Sequence, residues 1–357
     1  MISISLCMIV KDEEDVLSQC LDSVKDLVDE IIIVDTGSKD KTKDLAYKYT
    51  DKVYDFQWNN DFSAARNYSF SKATKDYIMW LDADDIVLEK DLEEMKLLKR
   101  QLSLEYDAII MKYVVQRDAN GEEIYGCYRE RLVKRSSNFK WYDPIHEHIN
   151  FYGKVLHTEI AITHNGTGTN SKRNLDILKR FLEGSKNFHP KYLYYYARES
   201  YALGNIEEAI KYYLKFLDRK PDVYSPYTEA CIQLSQIYKK QNKDKLALQT
   251  LIRSFEYDPL RAEVLCLIGK HYIDKKDYST AVCWYKLALS IPRPKLTWIF
   301  IMEEYWEFIP YVELCHCYYY MGDLDTALSY HKKAAKLKPK HPAVALNQKF
   351  FDSIIKE

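Results

Sequence analysis

The chain has 357 residues, 47% of them hydrophobic, and a net charge of −1, enough to bury a core in each of two domains. Charge divides unevenly: residues 1–170 carry 22 Lys+Arg against 31 Asp+Glu, whereas residues 171–357 carry 30 against 22. No basic run is interleaved with stacking aromatics and no apolar span reaches about 18 residues, so neither a nucleic acid partner nor a membrane span is expected. From the N-terminus, "ISISLCMIV" alternates and then runs continuously apolar, as a buried parallel strand does. Residues 14–25 place Leu17, Cys20, Leu21 and Val24 at helical spacing. "EIIIVD" (30–35) is a second strand, and "TGSKDKT" turns into a helix with Ser38 or Asp40 as N-cap. "KVYDF" is a short third strand before a helix over 61–73. "YIMWL" is the fourth strand, followed by a helix over 89–102. "DAIIMKYVVQRD", "ANGEE" and "IYGCYRERLVKR" then read as an antiparallel hairpin. This order predicts an open α/β sheet whose ligand crevice lies at the C-terminal ends of its parallel strands.

Acid collects at that crevice. Asp35 ends strand two, and "YIMWLDADD" ends strand four on Asp82, Asp84 and Asp85. Continued as a strand, the chain projects Asp82 and Asp84 to one face with Ala83 opposite. Like charges so crowded either titrate upward or hold a cation between them. Hard oxygen ligands without Cys suit Mg²⁺ or Mn²⁺ better than zinc, although an isolated D-x-D also fits a solvated turn capping the next helix. Neither G-x-G-x-x-G nor a Walker lysine loop occurs, and Gly is scarce at 10 residues, which argues against a dinucleotide dehydrogenase or P-loop NTPase. A nucleotide bound here needs side chains for its base and a metal for its diphosphate. The eight cysteines lack C-x-x-C spacing, and in "CHC" (315–317) successive helix residues splay too far apart to share an ion. With no basic n-region before "KDEED", the expected setting is the reducing cytoplasm.

Four stretches, "CMIVKDEE", "EIIIVDTGSKDKT", "NNDFSAARNYSFSKATKDYIMWLDADD" and "RLVKRSSNFKWYDPIHEHI", resemble glycosyltransferase family 2, whose members have the GT-A fold. The resemblance implies inverting transfer of a sugar from a nucleotide sugar. By it, Val10 and Asp35 at the first two strand ends hold the base and ribose, with Asp35 on the uracil or ribose. Arg66 approaches the base or diphosphate, Asp82 and Ala83 line the donor site, and Asp82 and Asp84 hold the metal. Thr36 stands where many members have a second Asp.

Such chemistry also needs a group to take the acceptor proton. "DPIHEHI" offers Asp143, His146, Glu147 and His148. Glu147 is read as the base, with His146 supporting it or contacting the donor; on an alternating strand the two face opposite ways. His164, in "ITHNGTGTNSKRN", ends a strand before a Gly-containing basic loop in which Lys172 and Arg173 can meet a diphosphate. It is an additional candidate metal ligand.

The second half repeats. Ala209, Ala247, Ala281 and Ala327 lie nine residues after Ser200, Tyr238, Tyr272 and Tyr318, and each precedes a proline (Pro221, Pro259, Pro292, Pro339). The spacings of 38, 34 and 46 resemble imperfect tetratricopeptide repeats, helix pairs that stack into a solenoid. An inserted segment, "RPKLTWIFIMEEYWEF", offers Trp298 and Trp306 as a partner surface. Most of the 31 tyrosines are expected to pack helix on helix.

The whole reads as a GT-A catalytic domain over 1–185, with a Rossmann-like mixed sheet, followed by an all-α tetratricopeptide-like solenoid over 186–357. In this order it resembles the bacterial sublancin S-glycosyltransferase group. That resemblance implies a UDP-linked donor and a peptide or protein acceptor held by the repeats, modified on Cys or Ser/Thr, with Mg²⁺ or Mn²⁺ as cofactor and a homodimer as one assembly. The alternatives are a transferase acting on a surface polysaccharide or lipid-linked glycan, and a non-catalytic repeat-based interaction protein.

Overall fold

Parallel strands flanked by helices build the first half, as the continuous apolar runs require. The computed structural model describes residues 1–118, 121–166, 170–184, 188–219, 226–257, 260–293 and 300–354. It divides into one unit of Met1–Ser185 with Leu296–Ile301, and a second of Lys186–Lys295 with Met302–Glu357.

In the first unit, β1 (Ile4–Val10) lies parallel to β2 (Glu30–Asp35) on one side and β4 (Tyr77–Trp80) on the other. The short β3 (Val53–Asp55) extends the sheet beyond β2. Beyond β4 the sheet turns mixed. β7 (Glu123–Lys134) pairs antiparallel with β4 and with β6 (Ala108–Arg117). β10 (Val155–His164) runs parallel to β6, and the two-residue β5 (Asp85–Ile86) closes against β10. The order is therefore β3-β2-β1-β4-β7-β6-β10-β5.

Alternate residues of β1 serve two cores, which is why its sequence is apolar on both faces. Leu6, Met8 and Val10 pack with Leu17, Cys20, Leu21 and Val24 of α1 (Leu17–Val24) and Met95 of α4 (Glu89–Gln101). On the opposite face, Cys7 and Ile32 join Trp80, Trp141 and Phe70, the last from α3 (Phe62–Ser71). Asp61 caps α3 by accepting from the Ala64 amide at 3.0 Å. Helix α2 (Thr42–Ala46) follows the turn after β2. Asp40 accepts from the Thr42 amide at its start, whereas Ser38 turns to the amide of Asp12.

One bulge bears on the site. Between β6 and β7 the register passes from Ile109↔Leu132 to Ile110↔Glu130, leaving Arg131 as the extra residue. Such a bulge re-aims a side chain, and Arg131 is fully buried beneath the end of β4.

The second unit is a run of antiparallel helix pairs: α6 (Lys191–Ala202) with α7 (Ile206–Leu217), α8 (Tyr227–Lys240) with α9 (Asp244–Arg253), α10 (Ala262–Asp274) with α11 (Tyr278–Ser290), and α12 (Phe308–Tyr320) with α13 (Leu324–Leu337). Helix α14 (Pro342–Ile354) follows, and α5 (Ser171–Gly184) ends the first unit. Each pair turns on one residue in the left-handed region: Gly204, Asn242, Lys276 and Gly322. The next amide in each case donates back to the carbonyl of Ser200, Tyr238, Tyr272 or Tyr318, satisfying the end of the first helix. The repeating alanines follow five residues after these turns and are buried at the helix–helix contact. Of the inserted aromatic segment, Trp298 lies outside the described residues. Trp306 is a core residue only 6% exposed, which corrects its reading as a partner surface.

Candidate active site

The loops after β1 and β2 are stitched together by backbone-to-side-chain bonds. Asp12, at φ 54°, donates its amide to Ser38 Oγ and accepts from the Lys39 amide. Across the same gap the Glu14 amide donates to Asp40 Oδ2, and Glu14 Oε2 accepts from the Lys41 amide. Asp35 Oδ1 accepts from the Gly37 and Ser38 amides, both at 2.9 Å, and Gly37 takes the φ of +107° that this turn demands. Val10, Asp35's partner in register, accepts both the amide and the hydroxyl of Thr36. Thr36 is thus engaged with the backbone. Asp35 Oδ2, by contrast, is buried and has no hydrogen-bond partner among the described residues. A buried lone pair of this kind awaits a donor.

The acidic cluster is a turn rather than the strand its sequence suggests. β4 stops at Trp80, and the Asp85 amide donates back to the Asp82 carbonyl at 3.0 Å while Asp85 Oδ2 accepts from the Asp82 amide. Asp82 and Asp84 therefore do not share a strand face. Asp84 turns toward His164 at the end of β10, with Nδ1 3.5 Å from its carboxylate and 3.7 Å from that of Asp85. Tyr113 OH lies 3.1 Å from the same ring nitrogen. The neighbouring carboxylates of Asp84 and Asp85 push the His164 imidazole up to about 10. An imidazolium there balances the two carboxylates, as a cation would.

Asp84, Asp85 and His164 each offer a ligand atom, all within 4.8 Å of one another. Asp85 is the member that sequence reasoning passed over. Its Oδ2 forms a fully buried ion pair with Arg131 at 2.9 Å, while its Oδ1 is buried and unpartnered among the described residues. Two carboxylates and an imidazole, with an orphaned oxygen aimed inward, fit a hard divalent cation. A Cβ on Gly166 would collide with Asp84 Oδ2 and the His164 ring, so only glycine lets that loop approach so closely. Of the basic loop beyond, 167–169 lie outside the described residues. Lys172 is exposed on α5, and Arg173 lies over the Phe62 ring at 4.9 Å. Ala83 is buried between its acidic neighbours.

Arg66 is the hinge of the site's other half. Its Nη2 donates to Asp82 Oδ1 and its Nε to Glu147 Oε1, both at 2.7 Å. Its guanidinium carbon lies 5.1 Å from the Trp80 ring and 4.9 Å from Trp141. Arg66, expected at the base or diphosphate, is instead a buried clamp between two carboxylates. The attraction of Arg66 and Arg131 outweighs burial and holds Asp82 below the usual carboxylate range. Asn67 explains the register: its amide side chain exchanges two 2.9 Å bonds with the backbone of Trp141, pinning α3 to the hairpin that carries Glu147.

That hairpin corrects another expectation. Trp141–Tyr142 (β8) pairs with His148–Ile149 (β9), and residues 143–147 form the turn between them, with Asp143 and His146 both at positive φ. Strand alternation therefore does not govern how His146 and Glu147 face. Asp143 lies 3.0 Å from His148 Nδ1. Glu147 Oε2 makes no hydrogen bond among the described residues.

Glu13, from "KDEE", also bears on the turn. Burial, and then Asp84 and Asp82, push its carboxyl up to about 7.

Comparison with known proteins agrees with this division. Residues 5–162 match Glycosyl transferase family 2, and residues 190–223, 228–259 and 310–341 match the tetratricopeptide repeat. The chain is 39% identical over 147 residues to TPR repeat-containing protein Synpcc7942_0270 of Synechococcus elongatus, covering 41% of this chain and 35% of that one. It is 28% identical over 239 residues to the SPbeta prophage-derived glycosyltransferase SunS of Bacillus subtilis, covering 61% of this chain and 56% of that one. This chain thus spans only about a third to a half of these relatives. Among solved structures, MamA covers 48% of this chain and 90% of its own at 19% identity and a TM-score of 0.38, and no argument rests on that likeness.

Proposed function

From a chain that carries a family 2 glycosyltransferase domain followed by tetratricopeptide repeats, we propose an inverting, metal-dependent transfer of a sugar from a UDP-linked donor to a peptide or protein side chain. The observation that carries this reading is the convergence at one crevice of the Asp84–Asp85–His164 group and the Arg66-held Glu147. In it, Asp35 offers its open oxygen to the base or ribose beside Val10. Glu147 Oε2 takes the acceptor proton as the acceptor sulfur or oxygen attacks the anomeric carbon and the bond to the diphosphate breaks. Asp84, Asp85 and His164 would hold Mg²⁺ or Mn²⁺, which would supply charge neutralisation for a departing diphosphate. Asp82, which the sequence placed among the metal ligands, is assigned here to fixing Arg66. Arg66 holds Glu147 Oε1 and so leaves Oε2 as the oxygen that faces chemistry.

The peptide acceptor follows from the repeats, whose stacked helices suit an extended chain better than a monosaccharide. The test is a panel of nucleotide sugars incubated with the protein and Mn²⁺, read as nucleoside diphosphate release with and without candidate peptides. Release that is fastest with a UDP-sugar and rises with peptide is the expected result. Turnover of no donor would overturn the reading.

A further inference from the structure

Three guanidiniums surround the Trp80 ring: Arg66 at 5.1 Å, Arg131 at 3.9 Å and Arg129 at 5.1 Å from its centroid. Two are held by carboxylates. Arg66 bridges Asp82 and Glu147, and Arg131, completely buried, pairs with Asp85. Arg129 differs. Its nearest acid, Glu130, stands 3.7 Å away, beyond hydrogen-bond reach, and no other acceptor meets it among the described residues. Its side chain is 27% exposed, so part of it reaches solvent from a ring-backed position.

Strand register says where those donors lie. β4 pairs Ile78↔Val133 and Met79↔Leu132, and Trp80 Nε1 donates to the Glu130 carbonyl, so Arg129 lies just beyond the end of β4, near the turn that carries Asp82. Electrostatics place it there too, since Arg129 helps to lower Asp82 and feels both Glu147 and Arg66. A dianion entering this crevice meets Asp35, Asp82, Asp84 and Glu147, which repel it. The guanidinium that reaches solvent and can offer N–H groups to its oxygens is Arg129, since the unpartnered Nε and Nη2 of Arg131 are sealed in the core.

Building on the donor reading above, we infer that Arg129 is a ligand-binding residue that receives the diphosphate of a nucleoside diphosphate at the mouth of the acidic turn. An arginine suits the task because its planar fork matches phosphate oxygens, and its stacking on Trp80 fixes the plane of that fork in advance. In transfer, Arg129 keeps its hydrogen bonds to the phosphate oxygens while the anomeric C–O bond breaks, so it stabilises the group that leaves.

The experiment compares UDP with uridine on the full chain in Mn²⁺, using calorimetry for UDP and ligand-observed NMR for uridine. Arg129→Met is expected to weaken UDP by about 10- to 100-fold while leaving uridine unchanged, the loss of a charge-assisted bond confined to the diphosphate. Arg129→Lys, which keeps the charge but not the fork, is expected to fall between. Unchanged uridine binding also certifies that the variant is folded. Wild-type UDP affinity in Arg129→Met overturns the inference, as does an equal loss for uridine and UDP. A wild-type protein that binds no UDP at all contradicts the donor reading itself, and that outcome is separable because it appears before any substitution is made.

Discussion

At the residue scale the site is a problem in arranging carboxylates. Asp82, Glu147 and Asp85 are held by buried arginines, whereas Asp35 and Asp85 each keep one buried oxygen without a partner. Holding one oxygen of a carboxylate and freeing the other separates positioning from chemistry. For Glu147 that separation gives a specific outcome. Glu147→Gln keeps an acceptor for Arg66 Nε and leaves donor affinity nearly unchanged, but cuts transfer by about 10²-fold or more, the usual weight of a general base. With a thiol acceptor the loss shrinks above about pH 8.5, where the thiolate forms unaided. Steady-state transfer against pH, with donor binding measured in parallel, checks both parts. Transfer unchanged at neutral pH moves the role to Asp143 or His146.

Glu13 gives a prediction with a definite sign. Burial, Asp84 and Asp82 raise its carboxyl from 4.5 to about 7, so the folded protein binds this proton more tightly than the unfolded chain does. Stability is therefore lost as pH rises from about 4.5 to 7 and stays lowered above that window. Glu13→Gln removes the penalty. In EDTA it raises the melting temperature at pH 8 and leaves it nearly unchanged at pH 4. Equal shifts at both pH values would place the effect in packing rather than charge.

At the element scale, much was legible. Strand ends carry Asp35 and the acidic cluster because buried parallel strands must be apolar until they reach the crevice, and that transition is written in "EIIIVD" and "YIMWLDADD". The turn at 82–85 was not legible, since a small Ala between two Asp fits strand and turn equally. Nor was Asp85's role, because its ion pair comes from Arg131, 46 residues later and aimed by a bulge that leaves no periodic trace. The "RERL" alternation was the available signal for Arg129 and Arg131.

The repeats show the same contrast. Gly204, Asn242 and Gly322 announce left-handed turns, whereas Lys276 occupies the same conformation without the usual residue. Its Cβ strains a backbone that glycine adopts freely. Lys276→Gly is therefore expected to stabilise the protein by about 1 kcal/mol, and Gly322→Ala, whose new Cβ meets no atom within 4 Å, to destabilise it by about 1 kcal/mol through backbone strain alone. Thermal melts of the two variants should move in opposite directions.

At the scale of the whole molecule, the acidic excess of residues 1–170 has a local origin as well as a global one. Part of it is the ring of carboxylates at the crevice, which a divalent cation and Arg129 would render hospitable to a diphosphate. Phe300 and Ile301 also belong to the first unit, and Phe300 stacks on Tyr125 with centroids 4.9 Å apart. The basic excess of the repeats accompanies a proposed peptide-binding role, whereas every proposed donor and metal residue belongs to the first unit. The claim on which the rest depends is that the acidic turn works through a metal. Its most direct measurement is nucleoside diphosphate release from the turned-over UDP-sugar, with wild type and Asp84→Asn compared in Mn²⁺ and in EDTA. Asp84→Asn relieves charge crowding, so it should stay folded while losing metal-dependent turnover, and the wild type should fall to the same level in EDTA. Full activity of Asp84→Asn, or of the wild type in EDTA, would contradict the account.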